Sequence, residues 1–151
     1  MNNTQTIQEA KNDSEILKCF LVMKELRPYL EEQSFVEKVK RMQGLAYRLI
    51  YIPNHNGVAL AAAGFRITEL LHWGKAIYID DLTTMQSERS KGFASRLLDY
   101  IEQVAIENSC GQIHLDSGCQ ASRYDAHRLY LKKGFNITSH HFAMIVDREK
   151  H

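Results

Sequence analysis

Asp80-Asp81-Leu82-Thr83-Thr84, followed after four intervening residues by Arg89-Ser90-Lys91-Gly92-Phe93-Ala94-Ser95, is the stretch from which the rest of the chain can be read. Its first half ends a run over 76–84 rich in Ile, Tyr and Thr, which predicts a strand. Beyond it, Ala94, Leu97, Leu98, Ile101, Val104 and Ala105 recur at helical spacing, so a helix should start near Gly92 and end before Gly111. Glycine at 92 lets the backbone approach a ligand closely. The helix that follows points its unsatisfied amides and the positive end of its dipole at whatever sits in the loop. A strand, a glycine loop and a helix N-terminus in that order make a local phosphate cradle. It is not a P-loop, since no Gly-Lys-Ser/Thr follows four spacers, nor a dinucleotide turn, since G-x-G-x-x-G is absent.

Working outward from this stretch, residues 47–52 and 58–67 predict two strands joined by Pro53-Asn54-His55-Asn56-Gly57, and a turn around 72–75 leads into 76–84. These are three consecutive antiparallel strands. Upstream, Thr6 and Ile7 predict a short first strand. Ile16, Leu17, Phe20, Leu21 and Met23 predict a helix capped by Ser14 and ended by Pro28. Ser34 with Glu37 has the capping-box spacing for a second helix, which Gly44 would close. Downstream, 112–116 predicts a strand, and Ser122 with Asp125 opens a last helix through Lys132, stopped by Gly134. Residues 135–146 predict one long final strand or two shorter ones. The order is β-α-α-β-β-β-α-β-α-β, an α/β chain forming one domain over residues 1–151.

Composition limits what such a chain can do. The 151 residues carry 19 basic and 18 acidic groups, a net charge of +1, which excludes a broad basic face for nucleic acid. Cys19, Cys110 and Cys119 are odd in number and form no C-x-x-C pair, so a reducing, cytoplasmic setting is expected rather than a disulfide framework. The longest near-apolar run, 58–65, is a strand's length, and no membrane anchor or export signal is expected.

Arg89-x-x-Gly92-x-Ala94 resembles the Arg/Gln-x-x-Gly-x-Gly/Ala loop with which the GNAT superfamily of N-acetyltransferases grips the pyrophosphate of coenzyme A. The downstream run from Ala126 through Tyr130 to Gly134-Phe135 is similar to that superfamily's A-x-x-x-Y-x-x-x-G-F segment. The resemblance implies a mixed, mostly antiparallel central sheet with helices on both faces, and acetyl-CoA as co-substrate. It implies that Arg89, Ser90, Lys91, Gly92, Phe93, Ala94 and Ser95 hold the cofactor, chiefly through backbone amides. Amides near Leu82, Thr83 and Thr84 would polarise the thioester carbonyl. By the same resemblance Tyr130 is the acid that protonates the departing thiolate, the alternative being a core aromatic. The wall between the first two helices, with Tyr29, Glu31 and Glu32, would face the acceptor or be an exposed turn. One position departs from the pattern: Arg123 stands seven residues before Tyr130, where many members have asparagine.

The acceptor implied is a primary amine, on a small molecule. The alternatives are a protein or peptide amine, or a non-catalytic module that only binds coenzyme A. An alkylamine with a pKa of about 10.4 is neutral in about one molecule in 2,500 at pH 7, so a base, directly or through water, is useful. Asp80 and Asp81 are the candidates, Asp80 being favoured by its correspondence with acidic positions in polyamine-acetylating relatives. Neighbours on a strand face opposite sides, so both can serve one site only across a bulge; the alternative is that either caps a loop or pairs with a surface lysine.

Other constellations carry less. His114, Asp116 and Ser117 lack the G-x-S-x-G elbow of a hydrolase, and His140-His141 fits no metal spacing, so no metal is expected. Phe93, Leu97 and Leu98 continue the apolar face of their helix and are expected in the core. Cys119 is expected to be a structural or idle thiol, and Trp73 either a capping hydrophobe or a residue at an interface or ligand edge. A homodimer is left open.

Overall fold

Tyr47–Pro53 (β2), Ala59–Leu70 (β3) and Gly74–Thr84 (β4) form the antiparallel centre of the sheet in the computed structural model, which describes residues 5–150. Asn54 makes the β2–β3 turn: its Oδ1 accepts the amides of Asn56 (2.9 Å) and Val58 (3.0 Å), and Gly57 supplies the left-handed residue at φ +84°. Gln8–Glu9 (β1) adds to β2 opposite Tyr51 and Ile50, two residues later than the predicted first strand. Gln112–Leu115 (β5) runs parallel to β4, and Phe93–Glu107 (α4) is the crossover between them. The sheet order is β1-β2-β3-β4-β5.

The predicted first helix is two. Asn12, not Ser14, caps Asp13–Lys18 (α1), accepting the Glu15 amide at 2.9 Å, and the chain bends at Cys19 into Phe20–Leu26 (α2). Helix α2 ends at Arg27 (φ −124°, ψ 80°), because the residue before Pro28 is driven out of the helical region. The next helix, Glu32–Gln43 (α3), begins ahead of Ser34, so the expected capping box is not made; the Ser34 hydroxyl lies back on the Glu31 carbonyl at 3.4 Å. Gly44 closes it as expected.

Strand alternation divides the core into two layers. Tyr47, Leu49 and Tyr51 pack with Ile16, Phe20, Val22, Phe35 and Val39 of the early helices. The intervening Ile50 and Ile52 lie opposite Ala63 and Ala61 on the other face, where α4 lies against the sheet with Leu97, Leu98 and Ile101 buried. Burial of a leucine or isoleucine in such a layer stabilises by about 1.5–3 kcal/mol.

The described residues form two compact units, 5–115 and 116–150. In the second, a 3-10 turn at Ala121–Arg123 runs into Tyr124–Lys132 (α5), closed at Gly134 with φ +100°. The predicted Ser122/Asp125 cap is not formed; Asp125 pairs with Arg128 at 2.8 Å. The predicted final strand is also corrected, since residues 135–147 carry no strand. Ile137, Phe142, Met144, Ile145 and Val146 are all exposed. Alternating apolar residues give strand propensity, but a strand exists only in a ladder, and no pairing involving this segment occurs among the described residues.

Candidate active site

The β3–β4 ladder slips at Gly64. Gly64 faces Asp81 while Phe65 faces Ile79, so Asp80 is the extra residue of a bulge. This slip sets both carboxylates on the face that carries Tyr47. A Cβ on Gly64 would stand 1.8 Å from the Tyr47 hydroxyl oxygen, so only glycine admits that side chain. The Tyr47 hydroxyl donates to Asp81 Oδ2 at 2.8 Å. Arg27 donates through Nε (3.2 Å) and Nη2 (3.0 Å) to Asp81 Oδ1, and through Nη2 to the Asp80 carbonyl at 3.2 Å. Arg66 forks onto Asp80, with Nε to Oδ1 at 3.1 Å and Nη2 to Oδ2 at 2.7 Å, while its Nη1 donates to the Leu45 carbonyl. The Arg66 guanidinium also lies 5.6 Å from the Tyr47 ring centre. Burial, and then the negative charge of Asp81, pushes the Tyr47 phenol well above the usual tyrosine range.

Sequence reasoning named both aspartates and none of their partners. Arg27 is 54 residues from Asp81, Tyr47 is 34, and Arg66 is 14 from Asp80, beyond any local pattern. One signal was available: Gly64, interrupting a strand of alanines, marks a bulge or a close approach.

Past Ile79, β4 loses its parallel neighbour. Strand β5 pairs only with Ala76 through Ile79, so residues 80–84 have a strand on the β3 side alone, and the other edge of Leu82–Thr84 is open among the described residues. The Thr83 side chain is buried and donates to the Val22 carbonyl at 3.5 Å, so what Thr83 can offer at that edge is backbone. The 3-10 turn Gln86–Glu88 follows; then Ser90 (φ 65°) and Gly92 (φ 84°) are both left-handed, and α4 begins. Gly92 caps α4 without a side chain, and the first helical bond runs from Arg96 N to Gly92 O. The amides of Phe93, Ala94 and Ser95 therefore have no acceptor within the helix. Nothing lies within 4 Å of where a Gly92 Cβ would be. Lys91 is tied to Glu88 at 2.7 Å, and Arg89 is exposed. Leu97 and Leu98 are core, as expected, and Phe93 is half-buried beneath Arg96. Beside the turn, Leu21, Lys24, Glu25, Pro28 and Met85 line an open groove of about 310 Å³.

In the second unit, Tyr130 is buried on α5, edge-on to Phe135 with ring centres 5.9 Å apart. Its hydroxyl lies 3.5 Å from Arg123 Nη2, so the arginine seven residues earlier reaches the tyrosine itself. Burial raises the Tyr130 phenol above its ordinary value while Arg123 pulls it back, leaving a proton donor intact at neutral pH. Arg123 also donates to Ser117 Oγ at 3.3 Å, and His127 Nε2 lies 3.1 Å from the same oxygen.

The three cysteines are free thiols; burial pushes that of Cys19 far above the usual range, so it stays protonated. Trp73 stacks on His114 at 3.5 Å between ring centres. Among the described residues, no group of three or more His, Cys, Asp or Glu could hold a metal ion, and no helix is long and apolar enough to cross a membrane.

Residues 16–135 match the profile of the Acetyltransferase (GNAT) family. The chain is 32% identical over 139 residues to an uncharacterized N-acetyltransferase, YhdJ, of Bacillus subtilis, covering 90% of this chain and 95% of that protein. Its fold is similar to that of AAC(6')-Iy, solved in complex with a bisubstrate analogue, CoA-S-monomethyl-acetylneamine, with a TM-score of 0.78 at 14% identity, covering 94% and 97% of the two chains. A Trypanosoma brucei acetyltransferase is similar at a TM-score of 0.76 and 16% identity, over 93% of this chain and 99% of that one. With the profile match spanning most of its length and a relative of this identity along nearly all of it, the chain belongs to the GNAT family of acetyltransferases.

Proposed function

We propose that the protein transfers an acetyl group from acetyl-CoA directly to a primary amine of a small molecule, in a ternary complex, and that it works in the cytoplasm, where its three free thiols persist. The observation that carries this is the open edge of β4 at Leu82–Thr84 running into the uncapped start of α4. Backbone donors there await an acceptor, and a coenzyme A ester offers carbonyl and phosphate oxygens in a suitable order.

Acetyl-CoA supplies an activated thioester, at which a C–N bond forms and a C–S bond breaks. The amides of residues 89–95 hold the pyrophosphate, with Arg89 and Lys91 adding positive charge, and amides of 82–84 receive the thioester oxygen. Asp80, fixed by Arg66 but with lone pairs left on both oxygens, takes the amine's proton through water. The Tyr130 phenol gives its proton to the sulfur and is replenished from solvent.

A second reading, a module that binds coenzyme A without catalysis, is favoured by one observation: both aspartates already have arginine partners. Either reading predicts that acetyl-CoA at 100 times its Kd stabilises the fold by about 2.7 kcal/mol, read as a rise in Tm. No shift at saturating cofactor contradicts both, and amine-dependent turnover separates them.

A further inference from the structure

The two ion pairs at the bulge are built differently. Arg66 holds both oxygens of Asp80, at 2.7 and 3.1 Å, and is itself anchored on the Leu45 carbonyl and the Tyr47 ring. Arg27, the C-cap of α2, reaches only Oδ1 of Asp81, at 3.0 and 3.2 Å, with a third bond to the Asp80 carbonyl at 3.2 Å, and its side chain is 41% exposed. Asp81 does not depend on Arg27 for its position. Its other oxygen is held by the buried Tyr47 hydroxyl, and Tyr47 is locked into the space that Gly64 leaves.

From this asymmetry we infer that Arg27 occupies a cation subsite on Asp81, and that an acceptor carrying two cationic groups displaces it, placing the group that does not react against Asp81 Oδ1. The inference rests on the N-acetyltransferase reading above. The cation on Asp81 cannot be the attacking nitrogen, because a nitrogen paired with a carboxylate is held protonated and has no lone pair to give. An alkylammonium there is charged at neutral pH. Asp81 is only 12% exposed, so its charge needs a partner once Arg27 leaves. The other charges on α2 do not compete for it: Lys24 donates to the Pro28 and Leu30 carbonyls, and Glu25 accepts the Gln86 amide. Pro28, next to Arg27 in sequence, and Lys24, three residues before it, line the groove, whose Leu21 and Met85 suit an alkyl stem.

The test compares 1,4-diaminobutane with n-butylamine as acceptors at saturating acetyl-CoA. The wild type should favour the diamine in kcat/KM by about tenfold or more. Arg27→Gln should lower the diamine's KM relative to butylamine's by about fivefold, since no internal cation must leave, and Arg27→Lys should return the ratio toward wild type. Asp81→Asn should bring the two acceptors to within about twofold. Without cofactor, diaminobutane should raise the Tm of Arg27→Gln more than that of wild type. Equal KM rises for both acceptors in Arg27→Gln, or an intact diamine preference in Asp81→Asn, overturns the subsite. If Arg27→Gln fails to fold, Asp81→Asn and the wild-type preference decide it. Absence of any amine-dependent turnover in a wild type that binds acetyl-CoA overturns the enzymatic reading instead.

Discussion

The bulge at Asp80-Asp81 and the loop at 89–95 handle polar groups in opposite ways. At the bulge each carboxylate has a guanidinium, and Asp81 a buried hydroxyl as well. At the start of α4 three successive amides have no acceptor within the helix, and no side chain caps them. A buried polar group must be paired inside the protein, whereas a helix N-terminus at the surface can leave its pairing to water and then to a ligand. The bulge is thus a rigid platform whose selectivity depends on which partner can be exchanged, and the loop is a binding surface made of backbone.

The contrast can be broken most strongly at the loop. Gly92→Val puts a β-branched residue at φ +84°, and the resulting strain of about 1–3 kcal/mol should weaken acetyl-CoA binding by about tenfold or more in calorimetric titration. Unchanged affinity would mean the loop backbone does not hold the cofactor. At the bulge, Gly64→Ala should destabilise the fold by about 1–3 kcal/mol in urea, because the new methyl overlaps the Tyr47 ring, and in a Tyr47→Ala background the same change should cost clearly less. Equal costs in both backgrounds would mean the two residues are not coupled.

Smaller effects sharpen the comparison. Glu88→Gln releases Lys91 from its ion pair and should tighten acetyl-CoA binding by about twofold to fivefold at low salt, a gain that added salt removes. Smallest is a pH effect. The Tyr47 and Tyr130 phenols are raised in the folded state, so between the unfolded value of 10.0 and the folded values the unfolded chain loses protons that the folded chain keeps. Stability from this source is complete below pH 10 and declines above it. Tyr47→Phe should flatten that decline, measured as urea stability at pH 9 and pH 11.

What was legible in the sequence was local. Strands β2 to β4 showed through branched and aromatic runs and the Asn54 to Gly57 turn, and α4 and its loop through apolar periodicity and Gly92. What was missed was set by competition or by distance. Asn12 and Glu31 outcompeted Ser14 and Ser34 as helix starts, since several neighbouring residues could serve and packing decides. Residues 135–147 have a strand's pattern without a strand's partner. The arginines on Asp80 and Asp81 arrive from elsewhere in the chain, so the sequence showed two acids but not that both are neutralised.

The most direct measurement is amine-dependent release of coenzyme A thiol from acetyl-CoA, followed with the acetylated amine by mass spectrometry, for wild type and Tyr130→Phe. The predicted result is one thiol released per amide formed, only when an amine is present, with kcat lowered about 10²- to 10⁴-fold in Tyr130→Phe while acetyl-CoA still binds. An acetyl-CoA-bound wild type that releases no thiol with any amine, or a Tyr130→Phe protein as fast as wild type, would contradict it.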